Sequence, residues 1–253
     1  LADLRAGVLR ATDTVLFVQD PMRALRAMQL LARKAKTVHP DTLRLIKGMK
    51  HTASELTPER VLEEWRKLLL KAERPSVGLE FLQASGWIEA FPELVPLQDT
   101  PQHPDWHPEG DVWVHTKQIA DAAAQVRHRV PKKQREAFVF GALLHDVGKA
   151  TTTVRPEDVA AGRFPKERLY TAHGHDALGK APARAFLERM KAPKKTTELA
   201  EALVGAHMQP YTMKAGNAGR SAYARLARKM RKAGGNLEIL AIVSQCDACA
   251  TGQ

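Results

Sequence analysis

His145 and Asp146 are adjacent at the end of an apolar run over residues 138–144, and Val147, Gly148 and Lys149 follow them. An imidazole and a carboxylate at the mouth of a core helix are costly unless a partner satisfies them. A divalent metal is such a partner, because both groups ligate it directly. The chain supplies the rest of a shell: His115 lies 30 residues before His145, and His175, His207 and Asp247 lie 30, 62 and 102 residues after it. His115, Ile119, Ala122 and Val126 recur at helical spacing, as do Leu199, Leu203 and His207, and Leu240, Val243 and Asp247. Each of these ionisable groups thus points with the apolar stripe of its helix, where such groups are rarely buried alone. A single buried His is readily satisfied by a backbone carbonyl, and Asp247 alone reads as a surface residue. The ordered set His, His-Asp, His, His, Asp points instead to a common cation.

The chemistry follows from the ligand types. A histidine-rich shell favours Ni, Co, Mn, Fe or Zn over Mg, as one ion or two. A metal held there lowers the pKa of its water and polarises a phosphoryl oxygen. Lys149 can offset charge developing on phosphorus. As a cation in the last turn of a helix, it can equally answer the helix dipole. The reaction class is phosphoester hydrolysis.

The elements that must position these groups are helical. Asp20 before Pro21 predicts a capped helix with Leu25, Met28 and Ala32 on its buried stripe. Thr57-Pro58 repeats the device ahead of Val61, Leu62, Trp65 and Leu69, and a third helix over residues 77–84 stops at Gly86. Residues 100–110 carry three prolines and no helical period, so they read as a loop or linker dividing the chain near residue 100. Residues 150–169 read as a long loop over the metal site, and Pro182 should kink or restart a helix after His175. No run alternates as a strand does. The predicted fold is all-α, with a helical neck and body over residues 1–100 and a metal-binding helical domain over residues 101–253.

Composition sets outer limits. No apolar stretch in the 253 residues approaches the ~20 needed to span a bilayer, and no signal-peptide layout opens the chain. Two cysteines make no disulfide framework, which fits a reducing cytoplasm. Cys246 and Cys249 form a lone C-x-x-C with Asp247 inside it, and read as packing residues. The net charge of +11 and pI near 9.8 suit a polyanionic partner. Arg220, Arg225, Arg228, Lys229, Arg231 and Lys232 form one basic cluster; Lys132, Lys133 and Arg135 form a second, and Lys191, Lys194 and Lys195 a third. They suit phosphate contact with RNA more than base stacking.

The ordered ligand pattern, with Gly148 and Lys149 after the doublet, resembles the HD superfamily of metal-dependent phosphohydrolases. The resemblance implies a basic four-ligand set of His115, His145, Asp146 and Asp247, with His175 and His207 as the extra pair of two-metal members. Within it, Asp146 is the ligand shared between metals, and Lys149 faces the substrate phosphate. The first half is similar to bacterial tRNA nucleotidyltransferases, the CCA-adding and poly(A) polymerase-like enzymes. Residues 1–10, Gln19-Asp20-Pro21 with Arg23, Thr57-Pro58-Glu59-Arg60, and residues 106–116 carry that likeness. In one branch of that family an HD domain follows the helical neck and body. The resemblance implies that Asp20 and Arg23 read the edge of an incoming nucleotide and that tRNA is a partner; the family usually has Glu where Gln19 stands.

Nucleotidyl transfer needs clustered carboxylates on two metals, and no Asp-x-Asp or glycine-rich palm turn occurs here. Opening at Leu1 inside a family motif, the chain reads as a fragment that adds no nucleotides by itself. Three readings follow: a phosphohydrolase of RNA ends or nucleotides such as 2′,3′-cyclic phosphates, a non-enzymatic tRNA-binding body, or a transferase whose head lies upstream.

Overall fold

A computed structural model of the chain describes residues 2–250. Leu1, the first residue of the 1–10 segment, lies outside the described residues. The architecture is all-α: helices and short 3-10 turns, with one parallel pair of two-residue strands, Val8–Leu9 and Thr37–Val38. That pair escapes a pattern-based reading because two residues cannot show an alternation.

The expected helices start and stop for identifiable reasons. The Met22–Arg33 helix opens where the Asp20 side chain accepts from the Met22 N–H at 3.1 Å. Thr57 makes no such bond, so the Pro58–Lys71 helix starts on the preset φ of Pro58 alone. The Pro75–Ser85 helix ends at Gly86, whose φ of 76° is left-handed. Pro182 does not restart the helix: His175–Arg189 runs through it. The missing N–H falls where Leu178, one turn earlier, is 59% exposed, so water can reach the carbonyl left over.

The Met22–Arg33 helix packs on the Pro58–Lys71 and Pro75–Ser85 helices, and the last of these packs on the Val112–Val126 helix. A second set follows: Arg135–Leu144 against Lys194–Val204, which in turn packs on His175–Arg189, with Leu237–Ala250 laid along Val112–Val126. One buried apolar cluster runs through both sets. At the seam Trp65 meets Phe91 edge-on at 5.1 Å and Phe186 at 5.3 Å, and Phe186 also meets Phe140. Ser76 adds a polar tie, donating from its hydroxyl to Asp121 at 2.7 Å. Among the described residues no helix is long and apolar enough to cross a membrane.

Candidate metal centre

Five helices, or the residues just past their ends, bring the six side chains together. His115 lies in the first turn of the Val112–Val126 helix, which Asp111 caps by accepting from the Val114 N–H at 2.8 Å. His145 and Asp146 leave the end of the Arg135–Leu144 helix, buried from Ala137 onward, and His175 opens the His175–Arg189 helix behind Gly174, a left-handed residue at φ 76°. His207 lies three residues beyond the Lys194–Val204 helix, and Asp247 sits in the last turns of Leu237–Ala250. The backbones of the 148 and 175–179 segments touch. A Cβ on Gly148 would stand 2.1 Å from the His175 carbonyl oxygen and 2.7 Å from the Gly179 nitrogen. Only glycine permits that approach, and the approach brings His175 to Asp146.

The two oxygens of Asp146 face different histidine pairs. Oδ1 lies 3.1 Å from His175 Nε2 and 3.6 Å from His207 Nε2. Oδ2 lies 3.2 Å from His145 Nε2 and 3.9 Å from His115 Nε2. Asp247 Oδ1 completes the second side, 3.0 Å from His115 Nε2 and 3.6 Å from His145 Nε2. All but Asp247, which is 14% exposed, are nearly or fully buried.

Every imidazole is oriented by its other nitrogen. The Nδ1 atoms of His145, His175 and His207 donate to the carbonyls of Ala142, Ala172 and Val204 at 2.7–2.9 Å. His115 Nδ1 lies 2.8 Å from Glu109 Oε1. A carbonyl only accepts, so those Nδ1 atoms carry protons and the neutral rings present bare Nε2 lone pairs inward. Yet His115 and His145 bring their Nε2 atoms to 3.2 Å, and His175 and His207 to 3.1 Å. Two lone pairs do not attract; a proton or a cation must lie between them. Asp146 Oδ2 adds to the case, being buried without a hydrogen bond although Lys149 Nζ is 2.7 Å away. His115, His145 and Asp146 offer ligand atoms within 4.8 Å of one another, as do His145, His207 and Asp247, and Asp146, His175 and His207; such overlapping donor sets suit a divalent transition metal.

Protons and charge are strained accordingly. Burial opposes charge on His145, but the Asp146 and Asp247 carboxylates carry it up to about 10. Burial, reinforced by the His145 charge, pushes His207 down to about 4. Burial also opposes ionisation of Asp146, and His145 with Lys149 overcomes it to hold the carboxyl well below its usual range. Asp247 is lowered in the same way by hydrogen bonds from His115 and His145, against its burial.

Lys149 is the first residue of the four-residue Lys149–Thr152 helix. Its Nζ contacts Asp146 Oδ2 and donates to Gln102 Oε1 at 2.8 Å. Gln102, His107 and Glu109 come from the proline-rich 100–110 stretch, and reading that stretch as a linker missed them. Glu109 Oε1 meets both His107 Nδ1 and His115 Nδ1 at 2.8 Å. Burial would raise the Glu109 carboxyl, but those two histidines bring it to about 2. The one available signal was His107 and Glu109 recurring just before His115. The 150–169 segment is likewise more ordered than a loop, with helices over Lys149–Thr152 and Pro156–Ala160.

A cavity of about 550 Å³ opens over the cluster, with Asp146, Lys149, His175 and Asp247 in its lining. Asp20 and Arg23 are not part of it. Asp20 Oδ2 is paired with Arg60 at 3.0 Å, and the Arg23 guanidinium lies over the Phe17 ring. In the C-x-x-C pair, burial pushes the Cys246 thiol up to about 12.

Residues 112–252 match the HD domain family. The chain belongs to that family. Residues 37–97 match a second family, described as the probable RNA and SrmB-binding site of polymerase A. A multifunctional CCA protein of Neisseria gonorrhoeae (strain NCCP11945) is 34% identical over 209 residues, covering 81% of this chain and 46% of its own length. One of Xanthomonas campestris pv. campestris (strain B100) is 35% identical over 218 residues, covering 83% of this chain and 48% of itself. The chain thus spans about half the length of the curated relatives it matches, their RNA-binding body and HD part. A solved CCA-adding enzyme in an apo form aligns with 99% of this chain and 47% of its own, at a TM-score of 0.54 and 16% identity, which speaks to the fold.

Proposed function

We propose that this chain is the metal-dependent phosphohydrolase part of a tRNA nucleotidyltransferase-like protein, cleaving phosphoesters of nucleotides or RNA ends such as 2′,3′-cyclic phosphates. The observation that carries the reading is Asp146, whose two oxygens each face their own histidine pair under an open cavity. His115, His145, Asp146 and Asp247 would hold one ion, and Asp146, His175 and His207 a second. A divalent transition metal there supplies Lewis acidity and a nucleophile at neutral pH. The four Nδ1 bonds fix the rings so that each Nε2 is aimed at the other donors. Lys149 is held at the cavity wall by Asp146 and Gln102, where its ammonium can meet a phosphoryl oxygen.

Residues 1–100 act in this proposal as the body that holds RNA, and residues 101–253 as the hydrolase. The RNA-binding match over residues 37–97 supports tRNA as the partner. So does the Arg220–Lys232 helix: its six Lys/Arg are all exposed, and no Asp or Glu occurs between Glu201 and Glu238. Nucleotide reading by Asp20 and Arg23 belongs to the intact protein, and requires Asp20 to exchange its Arg60 partner for a base. The test is hydrolysis of 2′,3′-cyclic AMP by the purified chain with Ni, Co or Mn. Turnover should vanish in a His145→Ala, Asp146→Asn double variant that keeps its helical content. Equal turnover in wild type and variant would falsify the assignment.

A further inference from the structure

Three aromatic side chains line the cavity that also holds Asp146, Lys149, His175 and Asp247. Three of the four tryptophans are 1% exposed or less, whereas Trp106 is 64% exposed and lines this cavity. Its position is not loose. The Trp106 and His107 N–H groups both donate to the His103 carbonyl, at 3.1 and 2.8 Å, and His107 is anchored on Glu109. A large apolar ring is thus held out toward water on a braced turn, facing a pocket.

Tyr170 and Tyr211 line the same cavity. Tyr170 has a φ of 63°, a left-handed conformation that an aromatic residue adopts at a cost. The strain is held in place by its own N–H, which donates to the Val154 carbonyl at 2.8 Å, and by the Val154 N–H, which donates to Thr171 at 2.9 Å. Backbone strain that neighbours over-determine collects at ligand clamps. Tyr211 is 37% exposed, and its hydroxyl donates to the Ser244 carbonyl, which fixes the ring's tilt.

We propose that Trp106, with Tyr170 and Tyr211, forms a base-stacking subsite, so that the substrate of this centre is a nucleoside phosphoester and not a simple alkyl phosphate. Planar bases stack on tryptophan and tyrosine faces whatever their sequence, because every base presents a π-face. A cavity of about 550 Å³ accommodates a mononucleotide, with its phosphate toward Lys149 and the metal donors and its base toward Trp106. The same chemistry comes from two sources, a free mononucleotide or the 3′ end of an RNA. The proposal rests on the hydrolase reading for its phosphate end and on the exposed indole for its base end.

The test has two arms on the whole chain. Iodide quenches only accessible indole, which here is Trp106. Adding 2′,3′-cyclic AMP, or a short RNA ending in a 2′,3′-cyclic phosphate, should shield that emission, and whichever ligand shields it names the source. Glycerol 1,2-cyclic phosphate, which has no base, should not. In the kinetic arm Trp106→Ala should raise KM for the nucleotide roughly ten- to a hundredfold while leaving turnover of the glycerol ester unchanged, and Trp106→Phe should restore most of the loss. Equal effects of Trp106→Ala on both esters, or iodide quenching unmoved by either nucleotide ligand, would overturn the subsite. If wild type hydrolyses neither ester, the hydrolase reading fails while the quenching arm still decides the subsite.

Discussion

Glu109 offers a test of how the centre is built, because it meets His115 at Nδ1, while His115 Nε2 faces His145 and Asp247. A single oxygen, Oε1, accepts from His107 and His115 at 2.8 Å each, and the side chain is only 6% exposed. Gln at this position keeps a neutral acceptor but loses the charge. Hydrogen bonds to charged groups contribute about 1.5–3 kcal/mol against about 0.5–1.5 for neutral ones, so the His115 bond weakens by about 1 kcal/mol. Ala removes the acceptor and frees the ring to turn or change tautomer. Substitutions of this outer kind usually lower metal affinity by about 10- to 100-fold, and each tenfold corresponds to about 1.4 kcal/mol. Glu109→Gln should therefore weaken Mn or Co binding about tenfold, and Glu109→Ala about a hundredfold. The assay is competition of metal-free protein against a chelating indicator, with far-UV circular dichroism to confirm unchanged helix content. Glu89→Gln, which alters an exposed pair with Lys50, is the control and should change nothing. Wild-type affinity in Glu109→Ala would refute the claim that this carboxylate orients His115.

Other consequences follow from single contacts. The Glu109 carboxyl is lowered from 4.5 to about 2 on folding, so its stabilising contribution is complete above pH 4.5 and is lost as pH falls toward 2. Acid titration of the melting temperature should be flatter over that window in Glu109→Gln. Gly148→Ala forces a methyl against the His175 carbonyl and the Gly179 nitrogen, backbone atoms that cannot yield easily. It should cost about 3 kcal/mol in denaturant unfolding and weaken metal binding as well. Phe186→Ala removes the ring shared by Trp65, Phe91 and Phe140, and should cost about 3–5 kcal/mol. Replacing Arg225 and Arg228 with Ala should reduce the slope of log affinity against log salt for tRNA by about two. An unchanged slope would remove the Arg220–Lys232 helix from the RNA interface.

Much of the arrangement was legible in the chain because helical periodicity says which way a side chain points. His115 and Asp247 stand on apolar stripes, and the structure brings both to the doublet at His145 and Asp146. Helix existence was equally readable, since Gly86 and the prolines at 58 and 21 act locally. What escaped depends on packing at a distance. Glu109, His107 and Gln102 lie in a stretch without period, and nothing local says that a proline-braced turn folds back on Lys149. Pro182 brings no restart because a helix can continue through proline where water can satisfy the spare carbonyl. The close crossing of Gly148 and Gly179 lies 31 residues apart in sequence and leaves no local mark.

Metal content of the purified chain probes the shared-cation claim most directly. The chain, grown with added Mn, Co or Ni and dialysed, should retain one or two transition-metal ions per molecule. The His145→Ala, Asp146→Asn double variant should retain none while keeping its helical spectrum. Wild-type protein that holds no ion, or a variant that holds as many as wild type, would contradict the account.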